Sequence, residues 1–329
     1  MELKGKRILI TGAGGFIGSH LTERLVSTGS QVTALVHYNS RNDYGLLKYL
    51  SKPILEGTRV IFGDIQDEYL MEKLCKKQDI VFHLAALIGI PYSYVAPESY
   101  VHTNVMGTLN VLKSAIRCNV GRVVHTSTSE TYGTARYTPI DEEHLLQSQS
   151  PYAASKIAAD KLVESFYLCY GLPVVTIRPF NTFGPRQSLR AIIPTIVSQA
   201  LKHNRIKLGT LEPVRDMNYI SNTIDGFILC SSRYDIEGNV FNIGYGEGFS
   251  ITALVEEIGR ILGKKIKVKR EKKRMRPEKS EVQKLICNYD KAREILGYTP
   301  KVNLKDGLHR TVQFIQEQPE LYVHSHYVK

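Results

Sequence analysis

The 329-residue chain contains no tryptophan and only five cysteines. Cys75, Cys118, Cys169, Cys230 and Cys287 are odd in number, isolated, and show no paired metal spacing. That excludes a disulfide framework and a zinc module, predicts no metal, and fits a reduced cytoplasmic compartment. The sequence also lacks a run apolar enough for a bilayer. The longest candidate, 80–97, carries His83, Pro91, Ser93 and two tyrosines, which a lipid-facing helix would not hold cheaply. The start, MELKGKRILITG, reaches a strand-like run within eight residues and offers no stretch long enough for a signal peptide, so a cytoplasmic protein without membrane contact is expected. Internal repeats and low-complexity linkers are missing too. With 43% apolar and 23% charged residues, disordered and fibrous readings fall away. The length suits two modest domains or one large unit with an appended lobe.

A net charge of +11 suggests nucleic acid until it is located. Between Lys264 and Lys279 stand ten Lys or Arg against Glu271 and Glu278, so this stretch alone carries +8. One short basic run suits an anionic small molecule or a solvated face. No zinc-finger spacing or RNA-binding aromatic signature accompanies it, and a nucleic-acid partner is not expected.

Apolar, β-rich runs alternate with segments of helical period. Strands are predicted at 7–10, 32–36, 59–62, 80–84, 123–126 and 174–177. Short continuous apolar strands separated by helices call for a parallel sheet covered on both faces. After Pro179 the pattern loosens, and the clearest late helix spans 251–262, where Leu254, Ile258 and Ile261 share a face. An α/β fold follows: a doubly wound N-terminal domain and a smaller C-terminal lobe.

Gly12, Gly15 and Gly18 follow the first strand and open a helix. Glycine permits the tight turn, and the missing Cβ lets a pyrophosphate approach the positive helix N-terminus. At the end of the second strand, Val36-His37-Tyr38-Asn39-Ser40-Arg41 holds no acid before Asp43. An acid there would bind the ribose 2′-hydroxyl of NAD; His37 and Arg41 could instead hold the 2′-phosphate of NADP, and both cofactors stay open. Asp64 follows the third strand and either faces the adenine or caps its loop.

Tyr152 and Lys156 sit at i and i+4 in a helical segment, on one face. An ammonium near a phenol is expected to pull its pKa down from ~10. Such a tyrosine can take a proton from a sugar hydroxyl while hydride leaves the same carbon for nicotinamide. The run Thr126-Ser127-Thr128-Ser129-Glu130-Thr131-Tyr132-Gly133 lies just past a strand end, where open α/β sheets place ligands.

With these motifs the chain resembles the extended short-chain dehydrogenase/reductase superfamily and, within it, the NAD-dependent nucleotide-sugar epimerase/dehydratase family. The likeness runs almost end to end: the glycine loop, His83-Leu84-Ala85-Ala86, Asn104-Val105-Met106-Gly107-Thr108, the Ser-Thr-Ser-Glu run, the Tyr/Lys pair, Arg178-Pro179-Phe180-Asn181 and Arg276-Pro277-Glu278. More narrowly it is similar to 4,6-dehydratases of the legionaminic-acid type, over 86–94, 179–187 and 276–282.

The resemblance implies a Rossmann-type domain over 1–180, rejoined by about 216–248. A nucleotide-sugar lobe would comprise 181–215 and 249–318, followed by a tail over 319–329. It implies a tightly bound, recycled NAD or NADP against Gly12, Gly15, Phe16, Ile17, Gly18, His37, Arg41, Asp64, Ile65, Leu84, Ala85, Ala86, Asn104 and Lys156. Tyr152 would be the base for the sugar 4-hydroxyl, tuned by Lys156 and joined by Thr128. Glu130 would remove the C5 proton once C4 is a ketone, and the C6 hydroxyl would leave as water. Many relatives hold Asp before this Glu; here the position is Ser129, so Glu130 shuttles the proton or Ser129 supplies it through a water. The nucleotide-diphospho-sugar would meet Tyr92, Ser93, Asn181, Arg190, Arg215 and Arg276, with Arg215 and Arg276 on the diphosphate. UDP-N-acetylglucosamine or its GDP counterpart is the expected substrate. Alternatives are UDP-glucuronate decarboxylation, C4 or C5 epimerisation, a relative handling the 5,6-unsaturated sugar, and a non-enzymatic cofactor-sensing regulator. The stretches 101–120 and 152–170 have apolar helical patterns, and the resemblance implies that these helices pair across a two-fold axis in a homodimer.

Overall fold

A computed structural model describes residues 2–323. The strands in chain order are β1 (Arg7–Thr11), β2 (Gln31–His37), β3 (Thr58–Gly63), β4 (Ile80–His83), β5 (Arg122–Thr126), β6 (Val174–Pro179), β7 (Asn181–Phe183), β8 (Arg205–Leu208), β9 (Val214–Tyr219), β10 (Val240–Ile243), β11 (Gly248–Ser250), β12 (Lys267–Arg270) and β13 (Lys284–Leu285). The longer helices are α1 (Phe16–Ser27), α2 (Glu68–Cys75), α3 (Gly107–Arg117), α4 (Pro151–Tyr170), α5 (Ile192–Lys202), α6 (Ile220–Ser232), α7 (Ile251–Ile261) and α8 (Leu304–Glu317).

Seven strands form one parallel sheet in the order β10-β6-β5-β4-β1-β2-β3. Side chains alternate between its faces. Leu9, Leu35, Val81, Val123 and Val174 pack beneath α3 and α4, against Val111, Leu112, Ala115, Val163 and Phe166. Ile8, Ile10, Ala34, Phe82, Val124 and Val175 point the other way, toward Leu21 and Leu25 of α1 and Ile224 and Phe227 of α6. Burial on both faces is why these strands read as unbroken apolar runs rather than alternating ones. The expected doubly wound, Rossmann-like sheet is present.

The late elements build two small sheets. β9 is central to one, paired with β7, β11 and β13; β8 and β12 form the other. β9 begins at 214, so the chain rejoins the large sheet only with α6, which packs on β5 and β6, and then β10. One continuous apolar core runs from α1 and α6 through Ile196, Ile206, Leu254, Ile258, Leu308 and Val312. Of the tail, 319–322 forms a helical turn, and 324–329 lie outside the described residues.

Strand order reverses between β1 and β4. The loops leaving the carboxyl ends of those strands therefore diverge and open a crevice.

Candidate active site

At the crevice, Gly12 leaves β1 with φ +73°, and Gly15 is the N-cap of α1 without a side-chain cap. A Cβ on Gly12 would lie 2.7 Å from the Ala85 nitrogen, and one on Gly18 would lie 2.3 Å from the Gly12 oxygen. Both positions need glycine, because backbone meets backbone there. The first turn of α1 carries no acid. Leading amides with no side-chain cap and no nearby carboxylate suit an anionic pyrophosphate. Phe16 and Ile17 begin that helix, and Ile65 is buried against Gly107.

Ala85 is held by a relay of hydrogen bonds. Its amide donates to Thr11 Oγ1 (3.2 Å), which contacts His83 Nδ1 (2.8 Å); His83 Nε2 contacts Thr108 Oγ1 (2.9 Å). Thr108 gives its own proton to the Asn104 carbonyl (2.6 Å), so His83 donates through Nε2 and accepts at Nδ1. Burial holds His83 well below its ordinary pKa, and it stays neutral. It is a structural residue that fixes the Leu84-Ala85-Ala86 loop.

The Ser150-Pro151 pair starts α4, with Ser150 Oγ accepting from the Ala153 amide at 3.1 Å. That start fixes Tyr152 and Lys156 on one buried face. Lys156 Nζ donates to the Thr126 carbonyl at 2.6 Å. Thr128 lies beside the Tyr152 phenol, and the Tyr100 ring stands edge-on to the Tyr152 ring, 6.2 Å between centroids. The expected depression of the phenol pKa is not found. Burial is the largest influence and raises it, Thr128 partly opposes this, and the Glu130 charge raises it further. Burial also lowers the Lys156 ammonium to about 8, with Asp160 acting against that loss.

Asp160, one turn beyond Lys156, was not singled out from the sequence. It accepts from Ser127 Oγ (2.7 Å), His125 Nε2 (3.0 Å), and Arg178 through Nη2 (3.0 Å) and Nε (3.3 Å). Arg178 continues to the Tyr132 hydroxyl (3.0 Å), which donates to Asn242 Oδ1 (2.8 Å). Despite burial, which alone would raise it, these donors hold the Asp160 carboxyl at about 2. The i+4 spacing from Lys156 was the available signal; its partners on β5 and β6 were not.

Glu130 heads a short 3₁₀ turn (Ser129–Tyr132) capped by Thr128, whose Oγ1 accepts the Glu130 amide at 3.3 Å. Its charge bears on two groups, the Tyr152 phenol and the Arg215 guanidinium. Arg215 is buried, donates to Glu281 Oε1 at 3.2 Å, and shares that carboxylate with Arg276 at 3.7 Å. Arg276 Nη1 and Asn181 Oδ1 are buried polar atoms with no hydrogen-bond partner among the described residues. Ser129 is buried beside Glu130. Tyr92 is exposed and lies against Tyr100, and Arg190 Nη1 approaches the same wall, 3.9 Å from a Cβ built on Gly89.

Two expected contacts fall elsewhere. Ser93 is fully buried and donates to the Ile90 carbonyl at 2.7 Å, so it caps its own turn instead of facing a sugar. Asn104 spends its amide on the protein: Oδ1 accepts from Leu87 N (2.8 Å), and Nδ2 donates to Leu87 O (3.0 Å) and Ser155 Oγ (2.9 Å). It sits in a π-helical turn (Val101–Met106) that aims it across to α4, which makes it a pin between loop and helix. His37 is exposed at the end of β2. Its Nε2 lies 3.4 Å from Asp64 Oδ2, while Asp64 Oδ1 caps Gln66 N (2.9 Å). Arg41 is exposed, in a turn held by Asn39. Among the described residues there is no cluster able to hold a metal, and no helix is long and apolar enough to cross a membrane.

The family model for GDP-mannose 4,6 dehydratase matches residues 9–311. A dTDP-glucose 4,6-dehydratase from Actinoplanes sp. is 32% identical over 315 residues, covering 93% of this chain and 96% of that protein. Among solved structures, DesIV from Streptomyces venezuelae, a dTDP-glucose 4,6-dehydratase with NAD and TYD bound, superposes with a TM-score of 0.85 at 29% identity, over 95% of this chain and 98% of that one. The UDP-N-acetylglucosamine 4-epimerase from Methanobrevibacter ruminantium M1, in complex with UDP-N-acetylmuramic acid, superposes with a TM-score of 0.86 at 30% identity, over 96% and 99%. Glycine cradle, Tyr/Lys pair and end-to-end likeness agree: this chain belongs to the GDP-mannose 4,6-dehydratase family of NAD-dependent nucleotide-sugar dehydratases and epimerases.

Proposed function

We propose that the protein is a nucleotide-sugar 4,6-dehydratase acting on UDP-N-acetylglucosamine or its GDP counterpart. The observation carrying this reading is Glu130, whose charge bears on both the Tyr152 phenol and the Arg215 guanidinium. A hexose with its 4-hydroxyl on Tyr152 and its diphosphate toward Arg215 and Arg276 would have its ring beside that carboxylate. A simple C4-epimerase needs no acid there.

A nicotinamide dinucleotide fits the Gly12–Gly18 cradle and supplies the hydride acceptor at C4 and the donor at C6. Tyr152 takes the 4-hydroxyl proton, with Thr128 on the same oxygen and Lys156 placed for the ribose. The C4 ketone acidifies C5–H, and Glu130 removes that proton. Glu130 then delivers it to the departing C6 oxygen, directly or by way of Ser129, and water leaves. Asn181 and Arg276, each with a buried polar atom that lacks a hydrogen-bond partner among the described residues, serve the sugar and the diphosphate. Asp64 Oδ2 lies 3.4 Å from His37 Nε2 and would compete with a 2′-phosphate for that ring, which supports NAD.

The same reading assigns the cofactor to residues 1–180 rejoined by about 216–248, and the nucleotide-sugar to 181–215 with 249–318. It includes a cytoplasmic homodimer: Val101, Met106, Leu168 and Tyr170 are exposed on the two helices in question.

The test is incubation with UDP-N-acetylglucosamine in D2O. Expected are loss of water, uptake of one deuterium at C5, and no net consumption of added cofactor. A product of unchanged mass with inverted C4 would establish the epimerase, the second reading, which the likeness to the M. ruminantium enzyme favours. Glu130→Gln is expected to halt the reaction after C4 oxidation, visible as accumulated reduced nicotinamide absorbance; near-wild-type turnover would remove Glu130 from this role.

A further inference from the structure

Between Glu271 and Gln283 the backbone makes no hydrogen bond to the backbone of the rest of the protein. Glu271 N is anchored to Leu208 O at 2.8 Å, and Gln283 O accepts from Val214 N at 2.9 Å. In between, the backbone–backbone hydrogen bonds are all local turns: Arg274 to Glu271, Met275 to Lys272, Ser280 to Pro277, and Glu281 to Glu278. This span nevertheless carries Arg276 and Glu281, two of the three charges gathered around Arg215. Something other than backbone pairing has to hold them in place.

Side chains do so: Val282 is buried in the cluster of Tyr132, Ile140 and Phe180, Glu281 pairs with Arg215, and Ser280 makes a third fastening. The Ser280 hydroxyl donates to the Gln149 carbonyl, and its oxygen lies 2.6 Å from the Tyr94 hydroxyl. A carbonyl only accepts, so the single Ser280 proton is committed to Gln149, and Tyr94 must be the donor to Ser280. Gln149 answers through its amide, Nε2 donating to the Lys279 carbonyl at 2.9 Å, while its Oε1 accepts from Thr134 Oγ1 at 3.0 Å. Three distant stretches of chain therefore meet at Ser280. Tyr94 belongs to the loop that bears Tyr92, and Gln149 immediately precedes the N-cap of α4, three positions before Tyr152.

We propose that residues 271–283 form a strap across the substrate cleft, and that Ser280, fastened by Tyr94 and Gln149, is a positioning residue that sets the Arg276–Glu281 diphosphate clamp at a fixed distance from Tyr152. The inference rests on the nucleotide-sugar reading and adds the device that ties phosphate binding to the reacting end of the cleft. Ser280 touches no substrate itself. It acts through Arg276 and Glu281, and Tyr94 brings the aromatic wall of the sugar pocket to the same knot.

The test uses the full-length protein with Ser280→Ala, Tyr94→Phe and the conservative Ser280→Thr, reading hydrogen exchange over 272–283, UDP affinity and steady-state turnover. Loss of two hydrogen bonds is expected to speed exchange there by about ten-fold, weaken UDP binding by a similar factor, and lower kcat/KM mainly through KM. Ser280→Thr should recover most of each. Unchanged exchange in Ser280→Ala overturns the strap, and faster exchange with unchanged UDP affinity overturns the positioning role. A wild-type protein that binds UDP without converting UDP-N-acetylglucosamine would sink the dehydratase reading alone, provided the variants bind UDP ten-fold more weakly. A wild-type protein binding neither UDP nor GDP overturns both.

Discussion

Replacing Asp160 by asparagine removes a buried negative charge on which four donors converge, from Ser127, His125 and twice from Arg178. Two magnitudes bear on the outcome. The carboxyl is held at about 2, against an ordinary 3.8. Its folded pKa is therefore depressed, so the stabilisation is complete above pH ~4 and is lost as pH falls through about 2; at ~1.4 kcal/mol per unit it amounts to about 2 kcal/mol. Substitution at neutral pH is harsher. It strands the buried Arg178 guanidinium without its counter-charge and turns an amide N–H toward existing donors, at a cost of about 3–5 kcal/mol. The larger figure governs at pH 7, because asparagine cannot ionise at any pH. A catalytic consequence accompanies it. Asp160 raises the Lys156 pKa against burial, so its loss moves Lys156 below about 8 and the ammonium disappears at lower pH. Urea denaturation at pH 7 and across pH 3–7 reads the first effect, and the alkaline limb of the pH–rate profile reads the second. A variant within 1 kcal/mol of wild type at pH 7, or an alkaline limb that does not move, refutes the reasoning.

Gly12→Ala and Gly171→Ala both place alanine at positive φ, +73° and +63°, but only at Gly12 would the new Cβ meet backbone, 2.7 Å from Ala85 N. Gly171→Ala should cost about 1 kcal/mol in denaturation, and Gly12→Ala at least 2 kcal/mol more, together with loss of dinucleotide binding by calorimetry; equal costs would mean the two loops are free to part. Tyr132→Phe removes the acceptor of Arg178 and the donor to Asn242 in a fully buried site, so denaturation should show a loss of about 1–3 kcal/mol. A neutral result there would place water in the gap.

The parallel sheet was legible because strands such as Ile8-Leu9-Ile10 are buried on both faces, and their continuous apolarity carries that burial into the sequence. Gly12 and Gly18 were legible for a similar reason, since backbone approach leaves one residue type at those positions. Tyr152 and Lys156 needed only helical spacing. Where the reading missed, the answer depended on which way a polar side chain turned. Asn104 and Ser93 stand in motifs beside the cleft, yet a π-helical turn and a local cap direct their polar atoms into the protein. Asp160, Glu281 and Ser280 gain their partners from segments 18 to 186 residues away, and no local pattern encodes such pairings.

The depressed Lys156 and the raised Tyr152 have a common origin. Burial that excludes water from the reacting pair disfavours charge on both residues, so the fold must supply compensation from behind. A purely apolar floor would make a more stable protein, since buried ion pairs recover their desolvation cost only with excellent geometry. It would also leave Lys156 with nothing to oppose burial and drive it neutral. Asp160 supplies that opposition, and Arg178, His125 and Ser127 make its charge tolerable, extending the network to Tyr132 at the end of the Glu130 turn. The two halves of the proposed chemistry, proton transfer at C4 through Tyr152 and at C5 through Glu130, thus stand on one buried polar network. Changes to Asp160 should therefore move the part of the C4 pH dependence set by Lys156, whereas Glu130→Gln should leave that part in place, ease the Tyr152 phenol downward by removing a charge that raises it, and block the loss of water from C5 and C6.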